Sequence, residues 1–316
     1  MPLGSAAAHA RRWDWGSKLT PRGNEPLTED VLAGFIAHPD FIAAGRCVAA
    51  GTVQLFFDHP TMRHFDKDRG TTLVVLFAAC LSVSEDGLTM TRLKALCRKS
   101  NACSLGRAIR IVNHLRARGD IIPAEPDSTV RPRRLILGSA MRRYQEDWLK
   151  LHLDALRKFT PHERGTASSD DGAHQFPALM QTLGTILENS ADLVTEDTVV
   201  LNRFADRDAG MLILLDLVHE HAHALHSAPV KISVQGLSRR FGVSRIPILD
   251  LLRDVHRAGL ATWSADTREL VLSPQLVHSL KRYFAAMLMI IAYCRSVAET
   301  STPPSASMVQ KATVAR

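Results

Sequence analysis

Residues 232–259 read ISVQGLSRRFGVSRIPILDLLRDVHRAG, and the way this stretch divides decides the fold. Ser233 stands where a helix begins, Gly242 where it closes, and Leu237 and Phe241 share one face between them. A second helix follows at once. Ser244 is placed to cap it, Pro247 is tolerated in its first turn, and Ile248, Leu251, Leu252 and Val255 form an apolar stripe that ends at Gly259. Two helices around so tight a turn predict a helix-turn-helix. Beyond it, Leu260 to Ser264, a polar Asp266-Thr267 tip and the alternating Leu270 to Leu272 predict a two-stranded wing.

Working outward, the same plan recurs. Asp66-Lys67-Asp68-Arg69-Gly70 returns as Asp206-Arg207-Asp208-Ala209-Gly210, displaced by 140 positions, with an apolar helical run after each. At that displacement Ser104, Ile111, Val112, Leu115 and Gly119 fall on Ser244, Leu251, Leu252, Val255 and Gly259. The first copy thus reads as a helix from about Thr91 to Ser100, an Ala102-Cys103 turn, a helix capped by Ser104, and strands at Ile121-Ile122 and Leu135 to Leu137. Self-similarity of this kind predicts one supersecondary unit present twice. The expected organisation is a tail over 1–25, a first helical and winged unit over 26–159, a polar linker over 160–175, a second unit over 176–299 and a tail over 300–316. The fold class is mainly α with small β wings, the two units joined by flanking helices into a pseudo-dimer. Ala140 to Phe159 and Pro274 to Ala298 are the helices expected to hold the copies together, the latter through Leu276, Leu280, Phe284 and Leu288.

The stretch Val243-Ser244-Arg245-Ile246-Pro247, through Leu252-Arg253 to Ala258-Gly259-Leu260, resembles the winged helix-turn-helix of GntR-type bacterial regulators over about 45 residues. In the first copy Leu105-Gly106-Arg107 stands in place of Arg245-Ile246-Pro247, and helices on both sides of each wing unit look more like MarR-type regulators. The resemblance implies double-stranded DNA as partner, a second helix in the major groove with its N-terminal residues on base edges, and a wing tip on phosphate or minor groove. It also implies transcriptional regulation. Tandem winged helices occur in plasmid replication initiators as well, and winged helices elsewhere dock proteins, so both stand as alternatives. A small-molecule effector is left open, and the oligomeric expectation is a monomer acting as pseudo-dimer or a homodimer.

Charge placement fits a polyanionic partner. The chain carries 39 Lys and Arg against 32 Asp and Glu, and Leu88 to Arg134 alone holds eleven basic residues against three acidic ones, more than the whole chain's excess. The residues expected to meet DNA in the first copy are Arg98, Lys99, Ser104, Arg107, Arg110, His114, Arg131, Arg133 and Arg134. In the second they are Arg239, Arg240, Ser244, Arg245 and Arg268, with Asp250 and Asp254 expected to repel phosphate if they faced it.

HEHAHALH, residues 219–226, matches the H-E-x-x-H spacing of zinc hydrolases through His219, Glu220 and His223. Read as the end of a helix starting at Met211, with Leu214, Leu215, Val218, Ala222 and Leu225 inward, it leaves His219, His223 and His226 on one flank. Because the motif closes the leading helix of a small unit, a surface histidine cluster is favoured over a metal site, and either over hydrolysis. Asp66/Asp68 and Asp206/Asp208 are read as helix caps. No cofactor and no catalytic residue are expected: the sequence has no phosphate loop, nucleophile elbow or paired cysteine ligands. Cys47, Cys80, Cys97, Cys103 and Cys294 are read as reduced, mostly buried thiols, in preference to a redox sensor at Cys103. Uninterrupted apolar runs are short, and Arg11-Arg12 is followed by Trp-Asp-Trp-Gly, so a cytoplasmic chain that does not cross a membrane is expected.

Overall fold

The computed structural model describes residues 29–61, 63, 65, 68–125, 133–159, 171–189 and 196–301. Among them the fold is mainly helical with a few short strands. The first half contains α1 (Glu29–Ile36), α2 (Phe41–Asp58), α3 (Arg69–Ser82), α4 (Met90–Lys99), α5 (Leu105–Ala117), the hairpin β1 (Ile121–Pro123) and β2 (Leu135–Leu137), and α6 (Ser139–Leu156). The second contains α7 (Asp171–Asn189), α8 (Glu196–Ala205), α9 (Gly210–Glu220), β3 (Val230–Lys231), α10 (Val234–Phe241), α11 (Arg245–Arg257), β4 (Ala261–Ser264), β5 (Glu269–Leu272) and α12 (Pro274–Ser301). From α3 and from α9 onward, helix, turn, helix, hairpin and long helix follow in the same order.

Two expected boundaries move. α7 already begins at Asp171, inside the expected linker, and α12 runs to Ser301, into the expected tail. Residues 160–170, the tail 1–25 and residues 302–316 lie outside the described residues.

Local chemistry sets the element ends. Asp68, Thr89, Ser104 and Ser233 each accept a hydrogen bond from the amide three residues on, which satisfies a donor that the first helical turn leaves unpaired. Gly242, at φ +64°, closes α10 in the left-handed conformation, which costs glycine little. The two acidic pairs diverge: Asp68 caps α3 through the Thr71 amide and hydroxyl, whereas α9 is entered through Ala209 at φ +56°, so Asp208 is not its cap. Gly210 follows because a Cβ there would lie 2.2 Å from the Phe204 carbonyl oxygen. Asp206 receives Arg69 at 2.9 Å, and Asp66 lies outside the described residues.

Packing interleaves the halves. α2 packs on α6 of its own half and on α9 of the other; α7 packs on α12 of its own half and on α3 of the other. α6 and α12 also touch each other. The ends reciprocate: Phe56 and Phe57 of α2 lie 5.8 and 6.1 Å from Phe241 of α10, and Glu188 of α7 receives Arg92 of α4 at 2.7 Å. One apolar cluster therefore takes Val48, Ala79, Leu149, Leu215, Phe241 and Phe284 from both halves. A second cluster, around Val74, Leu93, Val112 and Ile121, joins α3 to the first half's helix pair and hairpin. The expected stripe Leu276, Leu280, Phe284 and Leu288 is fully buried. α2 and Pro274–Glu299 of α12 are long and apolar enough to cross a membrane by length and composition; here they are core helices, about half buried against their neighbours.

The hairpins are antiparallel, Ile121 pairing with Leu137 and Ala261 with Leu272. β3 adds a third strand through Val230–Leu270 pairing, and Leu88 bridges Leu135 at the equivalent edge of the first half. A two-residue strand has too little alternation to be seen in sequence.

Candidate nucleic-acid interface

The first turn of α11 is exposed over four consecutive residues. Ile248, Leu251, Leu252 and Val255 are buried, which turns Ser244, Arg245, Ile246 and Pro247 outward. Arg245 and, on α10, Arg239 make no ion pair among the described residues. Ser244 occupies the N-cap position, yet its side chain makes no capping bond, contrary to expectation. The cause is chemical: the other serine caps bond the amide three residues on, and here that residue is Pro247, which has no N–H. The hydroxyl is consequently not committed to the helix.

Arg240 behaves differently from its neighbour. Its guanidinium lies 2.9 Å from Asp216 and 3.6 Å from Glu220, over the Phe57 ring at 5.4 Å. Asp216 is 7% exposed, and burial raises its carboxyl above the ordinary range against the opposing pull of Arg240. The Asp216 contact is an ion pair without the alignment of a hydrogen bond. Arg240 therefore bridges α9, α10 and α2. The acidic residues are also screened: Arg203 and Arg207 approach Asp254 at 3.3 and 3.7 Å, and Arg253 approaches Asp250 at 3.4 Å.

In the first half much of the positive charge is turned inward. Arg107 lies 2.6 Å from Asp68, Lys99 donates to the Glu188 carbonyl oxygen, and Arg134 donates to the Glu85 carbonyl oxygen at 3.0 Å. Arg92 and Arg118 are similarly engaged, by Glu188 and by Asp120 with the Thr61 carbonyl. Ser104 holds the Arg107 amide at 3.3 Å and is a structural cap. On α5, Ala108, Val112 and Leu115 are buried and Leu105 is half-buried, while Arg107, Arg110 and His114 are exposed. Arg98, Arg110, Arg116 and Arg133 are exposed and Lys94 is half-buried, all without an ion pair among the described residues; Arg116 and Lys94 were not among the residues expected to meet DNA. Arg131 lies outside the described residues.

Arg268 sits at the tip of the second hairpin with φ +56°, a conformation that non-glycine residues adopt at a cost, and its side chain is exposed. Lys231, exposed on β3, was missed together with its strand.

The histidine octet is not one helix. α9 stops at Glu220, His221 adopts φ −127° and ψ +85°, and Ala222–His226 forms a 3-10 turn. Arg46 of α2 donates to the His219 carbonyl at 2.9 Å and so stabilises this early end. His219 and His223 are thus not successive turns of an α-helix, and the single flank expected for His219, His223 and His226 does not form. Nothing is described of the His223 side chain. Among the described residues no three His, Cys, Asp or Glu side chains gather as a metal site.

All five cysteines are free; Cys80, Cys97 and Cys294 are buried, Cys47 and Cys103 half-buried. Burial pushes the Cys97 thiol up to about 12 and raises that of Cys103, against which Arg107 acts. Compared with family models, curated proteins and solved structures, the chain matches none.

Proposed function

We propose that this chain binds duplex DNA, without chemistry on it, through two winged helix-turn-helix units that arose by internal duplication and act as a covalent pseudo-dimer. Transcriptional regulation is the role this reading favours. The observation that carries it is the open first turn of α11, where Arg245, the uncommitted Ser244 hydroxyl and nearby Arg239 stand clear of the core. Hydroxyl, guanidinium and backbone amide at the start of such a helix are the groups that fix a protein on phosphate and base edges. The interleaving of α2 and α7 supports the duplication, because a two-fold dimer of one unit exchanges contacts in this reciprocal way. α11 would enter the major groove, with Arg268 on the hairpin tip and Lys231 beside it approaching the backbone. α5 would offer Arg110 and Arg98 to a second half-site.

The test is recovery of bound fragments from a randomised duplex pool at 50 and 200 mM salt. Six to ten phosphate contacts predict an affinity loss of about 10³ to 10⁵ between the two conditions. No enrichment, or a flat salt response, would remove the proposal.

A further inference from the structure

Among the described residues Ile246 is the most exposed large apolar side chain, at 69%. It is not a core residue displaced by a rotamer. At 100° per residue it lies roughly 170° from the centre of the stripe formed by Ile248, Leu251, Leu252 and Val255. It sits between exposed Arg245 and Pro247 in the first turn of α11, and Arg245 makes no ion pair among the described residues.

We infer that Ile246 is a specificity-determining residue that packs against the 5-methyl group of thymine in duplex DNA. This rests on the DNA-binding reading above and adds to it the base that the site selects. On the major-groove edge of a base pair the donors and acceptors call for polar partners, and the thymine methyl is the one apolar group available. An isoleucine that shares its turn with the Ser244 hydroxyl and a guanidinium without an ion pair among the described residues matches that edge: the polar pair engages phosphate or purine, and the branched alkyl covers the methyl. The inference also makes the two halves unequal. At the repeat displacement the counterpart of Ile246 is Gly106, where a Cβ would meet nothing within 4 Å, so the first half offers no alkyl group at this position.

The test uses the full chain and a duplex recovered from the randomised pool, resynthesised with deoxyuridine replacing thymidine one position at a time. Wild type is expected to lose about fourfold in affinity at one position, the worth of one buried methyl-sized group, and Ile246→Ala to bind the two duplexes alike. Ile246→Leu should keep most of the discrimination. Restoring the methyl as 5-methylcytosine opposite guanine, against unmodified cytosine, should favour the wild type and leave Ile246→Ala indifferent. Salt-dependent binding by wild type without any thymine–uracil difference would overturn the inference and leave the DNA reading standing. So would discrimination that survives in Ile246→Ala. Failure to recover any duplex would remove both.

Discussion

The first turn of α5 and the first turn of α11 occupy the same place in their halves and are built to different ends. In α5 a glycine faces open space, the serine is a working cap and Arg107 is held against Asp68; in α11 an isoleucine is exposed, the serine caps nothing and Arg245 has no ion pair among the described residues. The half with more positive charge in its sequence is therefore the one whose equivalent turn is more internally engaged. Charge count measures long-range attraction, while contact depends on which guanidinium groups are unoccupied. The difference is one of degree, since a half-exposed pair such as Arg107–Asp68 costs only about 0–1 kcal/mol to separate.

The largest effect should come where the halves do not differ. Phe284 of α12 is fully buried in the shared cluster, and its ring carbon Cδ2 would lie 3.2 Å from a Cβ placed on Gly45 of α2. Phe284→Ala is expected to cost about 3–5 kcal/mol. Because α2 and α7 bind the halves together, thermal and urea unfolding should remain a single transition that moves as one. Two separable transitions, with only one shifted, would show that the halves are independent and would break the comparison at its base.

Next in size is the acid sensitivity that His152 gives the first half. His152 of α6 is buried, donates Nδ1–H to the Trp148 carbonyl at 2.8 Å, and burial lowers its pKa from 6.5 to about 4. A depressed histidine favours the folded state while neutral, so its contribution is fully present above pH 6.5. That contribution falls as the unfolded chain takes up the proton first, with the loss complete near pH 4. The shift corresponds to about 3 kcal/mol. Urea midpoints of wild type and His152→Gln, measured from pH 7 to 4.5, should converge as pH falls; parallel curves would mean that the group does not titrate this way.

Much of this fold was legible because its signals are local. Ser233, Gly242, Leu237 and Phe241 bound α10, and the stripes of α11 and α12 are buried as their spacing predicts. What was not legible depends on residues far apart in the chain. No local signal tells that Arg92 and Lys99 meet the end of α7 or that Arg240 bridges to Asp216 and Phe57, so basic residues that looked alike divide only after packing. The early end of α9 is the same kind of case. HEHAHALH contains neither glycine nor proline, and the group that satisfies the His219 carbonyl comes from Arg46, 173 residues earlier.

On the proposed function, the free and the engaged arginine should separate in a binding measurement. Arg245→Ala is expected to lose about 1–3 kcal/mol of DNA affinity if it reaches a base, or to reduce the salt slope by about 1 if it reaches phosphate. Arg107→Ala should lose less, because Asp68 already neutralises part of its charge and must be given up before Arg107 can meet DNA. Equal losses would mean that the ion pair opens freely on binding, and the two first turns would be functionally alike.

The smallest effect isolates the cap itself. Ser104→Ala removes a bond to the Arg107 amide and should lower stability by about 1 kcal/mol. Ser244→Ala should leave stability within about 0.5 kcal/mol, as for a surface change that breaks no contact, yet weaken DNA binding if the hydroxyl reaches phosphate. Pro247→Ala closes the argument, because it restores the amide that a capping serine needs. In that background Ser244→Ala should become destabilising, as Ser104→Ala already is, and its effect on affinity should shrink as the hydroxyl turns back to its own helix. If Ser244→Ala is equally silent with alanine at position 247, proline is not what frees the hydroxyl, and the contrast between the two helices needs another cause.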